Sequence, residues 1–180
     1  YKVRACDSAN NCSADSAIVS ELPTGKFTTP AVLASEPVTS NLTTKRAKIA
    51  WSTDRVSDSK ISIGTTSGEY SPSEIGNSSQ VTAHVIDLDN LAAGTTYYYI
   101  AKWTDVDGNT GTSQEYTFTT APAPVLKEVT TLSINLSSTT LQFTVKDATK
   151  VELQYGRSDS FGGVKSINTS LTESTYQLEI

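Results

Sequence analysis

The chain has 180 residues, a formal net charge of −5 and 18% charged residues, below the ordinary quarter or so of a soluble globular protein. Ser and Thr together exceed a quarter of the residues, Met is absent and the isoelectric point is near 4.8. This balance excludes nucleic acid as a partner, because neutralising phosphates needs clustered Lys and Arg, and no apolar run approaches a membrane span, so membrane insertion of this segment is not expected.

Residues 1–11 read Tyr-Lys-Val-Arg-Ala-Cys-Asp-Ser-Ala-Asn-Asn: an aromatic opens a strand of alternating character, and Asp with an Asn-containing turn closes it. The pattern returns at 99–109, so residues 1–24 are expected to be the last two strands of a module. Cys6 and Cys12 flank the turn. A cross-strand disulfide there would close a small loop worth about 2 kcal/mol in the chain-entropy account and would place the protein outside a reducing cytosol. The other reading is a pair of free thiols in a cytosolic protein. Metal binding needs more ligands than this segment offers.

Residues 25–121 form the complete module. An opening strand is expected over 31–38. In the next, Ala47, Ile49 and Trp51 alternate with Lys48, Ala50 and Ser52, so one face is buried. A third strand over 60–64 buries Ile61 and Ile63. The breaker clusters at 64–68 and 71–73 mark a loop with a short edge strand. Alternation resumes at Val81 with His84, Ile86 and Leu88 on one face. After Leu91 and a turn, a long strand buries Tyr97, Tyr99, Ala101 and Trp103. Asp-Val-Asp-Gly-Asn at 105–109 is a hairpin turn, and 110–119 is the return strand carrying Tyr116 and Phe118. The count is seven short strands and no helix. Residues 23–30 and 121–124 are short, Pro-containing linkers of semi-stiff character. From 122 the pattern starts again with Pro124-Val125-Leu126, matching Pro30-Ala31-Val32-Leu33, and 122–180 is expected to hold the first five strands of a further module. A repeat of roughly 95 residues is longer than solenoid periods and suits whole β-sandwich domains.

Trp51 on its strand, with Leu91-Ala92-Ala93-Gly94-Thr95-Thr96-Tyr97 leading into the long one, resembles a fibronectin type III domain, whose pattern there is Leu-x-Pro-Gly-Thr-x-Tyr. Ala93 stands at the usual Pro. The resemblance implies an all-β, immunoglobulin-like sandwich in tandem, one complete and two partial. Its structural core would be Trp51, Leu91, Tyr97, Tyr99 and Trp103, with Tyr97 as the tyrosine corner bonded back to the loop backbone. Trp51-Ser52-Thr53-Asp54, the 59–64 strand and 84–88 are similar to modules of bacterial secreted proteins and to the N-terminal module of purple acid phosphatases. That similarity implies extracellular accessory architecture.

Chemistry is sparse. One histidine, His84, and no Gly-x-Ser-x-Gly element leave no nucleophile–base arrangement, and His84 reads as a packing or rim residue. Asp105, Asp107 and Asn109 imitate the start of a calcium loop, but Gly108 falls two residues early and Tyr116 stands where a bidentate Glu is needed. A hairpin turn with a loop contact is the expectation. Tyr97, Tyr98 and Tyr99 invite a sugar-stacking reading, yet alternation puts two of the three inside. Asn-x-Ser/Thr triplets occur at Asn11, Asn41, Asn77, Asn135 and Asn168, as chance predicts in a chain of this composition.

No catalysis, cofactor or resident metal is expected. The expected role is a structural and interaction array of an extracellular or cell-surface protein: stalk, spacer, fibre or adhesin segment. Its partners would be neighbouring repeats, other proteins or surface glycans. The alternative is an accessory spacer or carbohydrate-binding module of a secreted hydrolase. The two partial modules raise a further expectation, that the N-terminal hairpin of one subunit completes the C-terminal sandwich of the next in a head-to-tail filament. Against it stands the reading of the 180 residues as a cut from a longer chain.

Overall fold

The computed structural model describes residues 1–20 and 26–180, which contain eleven strands and no helix. Part of the first linker, 23–25, lies outside the described residues. The central unit comprises β1 (Leu33–Ser40), β2 (Ala47–Gly64), β3 (Ile75–Leu88), β4 (Thr96–Thr104), β5 (Thr110–Thr112) and β6 (Tyr116–Thr119). All its ladders are antiparallel.

The two strands expected at 47–52 and 60–64 are one 18-residue element. Residues 53–57, Thr-Asp-Arg-Val-Ser, contain neither Gly nor Pro, so the ribbon bends instead of breaking. The bend is a bulge: β2 pairs with β3 at Ser52↔Ala83 and next at Ser57↔Val81, consuming more residues on β2 than on β3. It folds one hydrogen-bonded sheet over on itself. The early part of β2 lies with β1 and the end of β3, whereas residues 60–64 lie with the start of β3 and with β4, which also carries β5 and β6.

The core fills the space between these layers. Ala47, Ile49, Trp51, Ile86 and Leu88 come from one side and Ile61, Ile63, Tyr99, Ala101, Trp103 and Phe118 from the other, in a single buried cluster. The central unit is an all-β sandwich, as the alternation implies. Leu91 and Tyr97 are half-buried at its margin.

Three further departures have local causes. Strand β3 begins at Ile75 instead of Val81, because its first residues pair with β2 at Ser59↔Asn77, Lys60↔Gly76 and Ile61↔Ile75. The return strand breaks at Ser113, whose hydroxyl accepts a bond from the Ala101 amide at 2.9 Å while its own amide donates to Ala101 O at 2.9 Å. Gly111 lies beneath the Trp103 indole, where a Cβ would stand 2.4 Å from Nε1, so only glycine lets the strand pass. The opening strand starts at Leu33, and Ala31 before it accepts a bond from Trp103 Nε1 at 2.8 Å.

The C-terminal unit contains β7 (Val125–Ile134), β8 (Thr139–Lys146), β9 (Lys150–Tyr155), β10 (Gly163–Asn168) and β11 (Ser174–Glu179). One sheet runs β11-β8-β7 and a second runs β10-β9. Its pairing corresponds to that of β1, β2 and β3 of the central unit, with the places of β2 and β3 each taken by two strands. Phe143 through Gly156 occupy the places of Trp51 through Gly64, and Leu153↔Lys165 repeats Ile61↔Ile75. Tyr176 stacks on Phe143 with ring centres 6.3 Å apart, in the manner of His84 on Trp51 at 4.9 Å. Here the break between β8 and β9 is real, made by Asp147 at φ 57°.

The N-terminal segment forms no regular strands beyond one bridge, Cys6↔Cys12. It is nonetheless a hairpin, tied by Ser13 N to Ala5 O, Ser16 N to Val3 O and Val19 N to Tyr1 O, each at 2.8–2.9 Å.

Candidate functional site

The 105–109 turn is a carboxylate-centred loop. Asp105 Oδ1 accepts the amides of Asp107 at 3.0 Å and Asn109 at 2.9 Å, and the Asn109 side-chain amide reaches both carboxylate oxygens at 3.1 and 3.0 Å. Gly108 supplies the turn with φ 88°. Burial pushes the Asp105 carboxyl up, but the Asn109 and Asp107 donors and the Arg55 guanidinium outweigh it and hold it below the usual carboxylate range. With both oxygens engaged by Asn109, the carboxylate acts as a loop organiser. No group of three or more His, Cys, Asp or Glu among the described residues is placed to hold a metal.

This loop grips the chain that leads into the sandwich. Phe27 N donates to Asp107 Oδ2 at 2.8 Å, and Asn109 Nδ2 donates to Phe27 O at 2.9 Å. The Arg55 guanidinium lies 3.8 Å from the centre of the Phe27 ring, donates to Thr29 O at 2.7 Å and approaches Asp105 Oδ2 at 3.5 Å. At the opposite side Ala121 N donates to Thr43 O and Ala121 O accepts from Gly94 N. Both connecting segments are thus fastened to the central unit. Sequence reasoning missed the roles of Phe27 and Arg55, which precede and follow β1 in the sequence but meet in space.

The loop has a twin. In the N-terminal hairpin Asp7 Oδ1 accepts the amides of Ala9 and Asn11 at 2.9 and 2.8 Å, and Asn11 Nδ2 donates to Asp7 Oδ2 at 2.9 Å. The Asn11 side chain and amide hold the Asp7 carboxyl below its ordinary range. Cys6 and Cys12 are joined, with Cα atoms 4.0 Å apart. At the matching positions of the central unit the Thr104 and Thr110 hydroxyls are hydrogen-bonded at 2.9 Å. Ser16 matches Ser113, since the Val3 amide donates to its hydroxyl at 3.0 Å. Asp-x-x-x-Asn at a fixed distance from a strand aromatic is therefore the legible signature of this loop.

His84 is fully buried in the middle of β3 and belongs to packing, with no rim character. Its Nδ1 is 2.8 Å from Ser59 Oγ, its Nε2 2.8 Å from Thr53 Oγ1, and its ring stacks on Trp51 at 10° between planes. Burial lowers its proton affinity, opposed by the Asp58 charge. A Ser–His contact is a nucleophile–base geometry on paper, but a pair sealed in the core meets no substrate. Tyr97 forms the corner expected of it: its hydroxyl accepts from Ala92 N at 2.9 Å. Tyr97→Phe is expected to lower the unfolding free energy by about 1 kcal/mol, read as a shift of the urea midpoint at unchanged m-value. Tyr97 and Tyr98 are half-buried and Tyr99 fully so.

Glu115 also escaped notice in the sequence. It accepts from Ser67 Oγ, Gly68 N and Tyr70 Oη, fastening the 65–70 loop, and the carboxylate pushes the Tyr70 phenol up to about 12.

No family model matches the chain, and no curated protein matches it. Among solved structures, the fibronectin type III domain of human fibronectin type III domain containing protein 3 is similar at 18% identity and a TM-score of 0.41, over 56% of this chain and 94% of that domain. The FN1-FN3 domains of chicken CNTN1 are similar at 13% identity and a TM-score of 0.44, over 99% of this chain and 66% of theirs. The fold assignment rests on the strand pairing and core described above.

Proposed function

We propose that this chain is a non-catalytic structural array of fibronectin type III-like units in an extracellular or cell-surface protein, serving as spacer or stalk. The observation that carries the reading is the double fastening of the central unit. The incoming segment is held by Arg55, Asp107 and Asn109, and the outgoing one by Thr43 and Gly94. Asp107 and Asn109 reach Phe27 from some eighty positions away, a fastening that a freely swinging connector would not have. Load applied through such ends reaches a closed core and antiparallel ladders that must yield together. The Cys6–Cys12 bond supports an oxidising compartment, and Asn11, Asn41, Asn77, Asn135 and Asn168 are all exposed to any glycosylating machinery.

Single-molecule pulling on the full chain is expected to show one dominant rupture for the central unit, releasing roughly 300 Å of contour from some ninety residues. Asp105→Ala should free the 26–30 segment and move part of that length into an earlier, weaker event. Gradual extension with no discrete rupture would remove the mechanical reading. Retention of the chain on insoluble polysaccharide would favour instead the accessory carbohydrate-binding module of a secreted hydrolase.

A further inference from the structure

The bend in β2 meets the chain that runs into β1. The β2–β3 ladder pairs none of residues 53–56, and two of the four reach outward. Asp54 N donates to Val32 O at 2.9 Å, and Val32 N donates to Asp54 Oδ1 at 2.7 Å. The Arg55 guanidinium donates to Thr29 O at 2.7 Å and lies 3.8 Å from the centre of the Phe27 ring. Whatever fixes the bend therefore fixes residues 27–32 against the sandwich. Arg55 is half-buried and Val56 is exposed, so the bend stands between the buried cluster and water.

On its inner side the bend is fastened by His84, and hydrogen accounting assigns the tautomer. A threonine hydroxyl has one hydrogen, and that of Thr53 goes to Arg55 O at 2.7 Å. Toward His84 Nε2, 2.8 Å away, Thr53 Oγ1 can then only accept, so Nε2 carries the proton and donates it. Nδ1 is left as an acceptor, and Ser59 Oγ donates to it at 2.8 Å. The neutral ring thus completes a chain from Ser59 through His84 and Thr53 to Arg55 O, and all three of these side chains are buried. A second proton has no place in it. An N–H at Nδ1 would meet a hydroxyl that already gives its hydrogen there, and Ser59 Oγ has no other partner among the described residues. The charge would also lie against the Trp51 indole in the core.

We infer that His84 is a proton-operated latch on the incoming segment. Neutral, it holds Thr53 to Arg55 O and keeps the bend closed on residues 27–32. Protonated, it turns out to water through the bend, and the segment is released while the two layers stay packed. The proton prefers the open bend because only there is the imidazole hydrated, so acid shifts the equilibrium toward release and neutral pH toward closure. Asp58 is the charged group that acts on the ring. Its Oδ1 accepts the Thr104 amide at 2.6 Å, its Oδ2 pairs with Lys60 at 3.0 Å, and no hydrogen bond joins it to the imidazole. Burial outweighs the pull of Asp58 and depresses the proton affinity of the closed state. On the outer side of the bend Arg55 faces Asp105 at 3.5 Å. The latch operates whether or not the chain bears load, and its failure would leave the pulling result unaffected.

NMR on the full 180-residue chain tests it. At neutral pH the ring nitrogen signals of His84 should report a protonated Nε2 and a bare Nδ1. From about pH 6.5 to 5, hydrogen-exchange protection of the Val32 and Asp54 amides is expected to fall by a factor approaching ten per pH unit. It should stay well below the protection of the β4 amides, which report the packed layers. His84→Gln should abolish that pH dependence. Thr53→Val, which removes the hydroxyl between His84 and Arg55 O, should leave both amides weakly protected across the whole interval, with β4 still protected. An Nδ1–H tautomer at neutral pH overturns the hydrogen accounting and the latch with it. Protection of Val32 and Asp54 that is constant over the interval overturns the latch. So does protection equal to that of β4 at every pH, because His84 would then escape only by unfolding.

Discussion

Replacing Trp51 with alanine is expected to cost the central unit about 3–5 kcal/mol, the usual range for emptying a buried aromatic site. Against a total stability of about 5–15 kcal/mol for a domain, that loss takes most or all of the margin. The indole is 3% exposed and lies between the two layers, against Ile49 and Ile86 of its own sheet region and the His84 ring. Its Nε1 has no hydrogen-bond partner among the described residues. The indole therefore contributes volume and stacking alone, and Trp51→Phe should lose far less than Trp51→Ala. Trp103 makes the contrast, since its Nε1 bonds Ala31 O and Trp103→Phe would leave that buried carbonyl unpaired. Urea denaturation followed by circular dichroism ranks the three variants. Equal losses for Trp51→Phe and Trp51→Ala would overturn this, showing that only the full indole shape fills the site.

Acid is expected to destabilise the central unit well above the carboxylate range, through His84. Burial depresses its folded-state pKa below the ordinary 6.5, with Asp58 pulling the other way. The unfolded chain binds a proton as pH falls through 6.5 and the folded one does not. Stability from this residue is thus complete above about pH 6.5 and declines as pH drops toward the folded pKa, with a limiting slope of about 1.4 kcal/mol per pH unit. Asp105, Glu74 and Glu115 have depressed pKa values as well, so their contributions are present above the ordinary carboxylate pKa and are lost only below it. The interval from about pH 6.5 to 5 isolates the histidine. His84→Gln keeps hydrogen-bonding capacity toward Ser59 and Thr53 and removes the titration, so its melting temperature should be flat across that interval where the parent's falls. Parallel slopes in the two proteins would assign the acid sensitivity elsewhere.

The buried faces were legible in the sequence wherever a strand runs straight. Alternation marked Ile49 and Trp51, then His84, Ile86 and Leu88, then Tyr99, Ala101 and Trp103, because a flat strand with one wet face leaves a period of two. It failed at the bend. Ser57, Asp58 and Ser59 are buried in succession there, and a bulge that turns the chain from one layer to the other has no period to detect. The same bend joins the two expected strands, because residues 53–57 contain no Gly or Pro to break the chain between them. The tyrosine corner was legible because it is local: Ala92 and Tyr97 are five residues apart. The clamp on the incoming segment was not, because Phe27 meets Asp107 and Asn109 across eighty residues of sequence. Asp105 was singled out for an oxygen-rich pattern and proved to spend its oxygens on its own loop.

The joined cysteines have a chemical corollary. With Cys6 and Cys12 tied together and methionine absent, the chain offers neither a thiol nor a thioether to peroxide. The softest remaining targets are two indoles, each only 3% exposed. A polypeptide so constituted should age slowly in an aerobic, oxidant-laden milieu where repair enzymes do not follow.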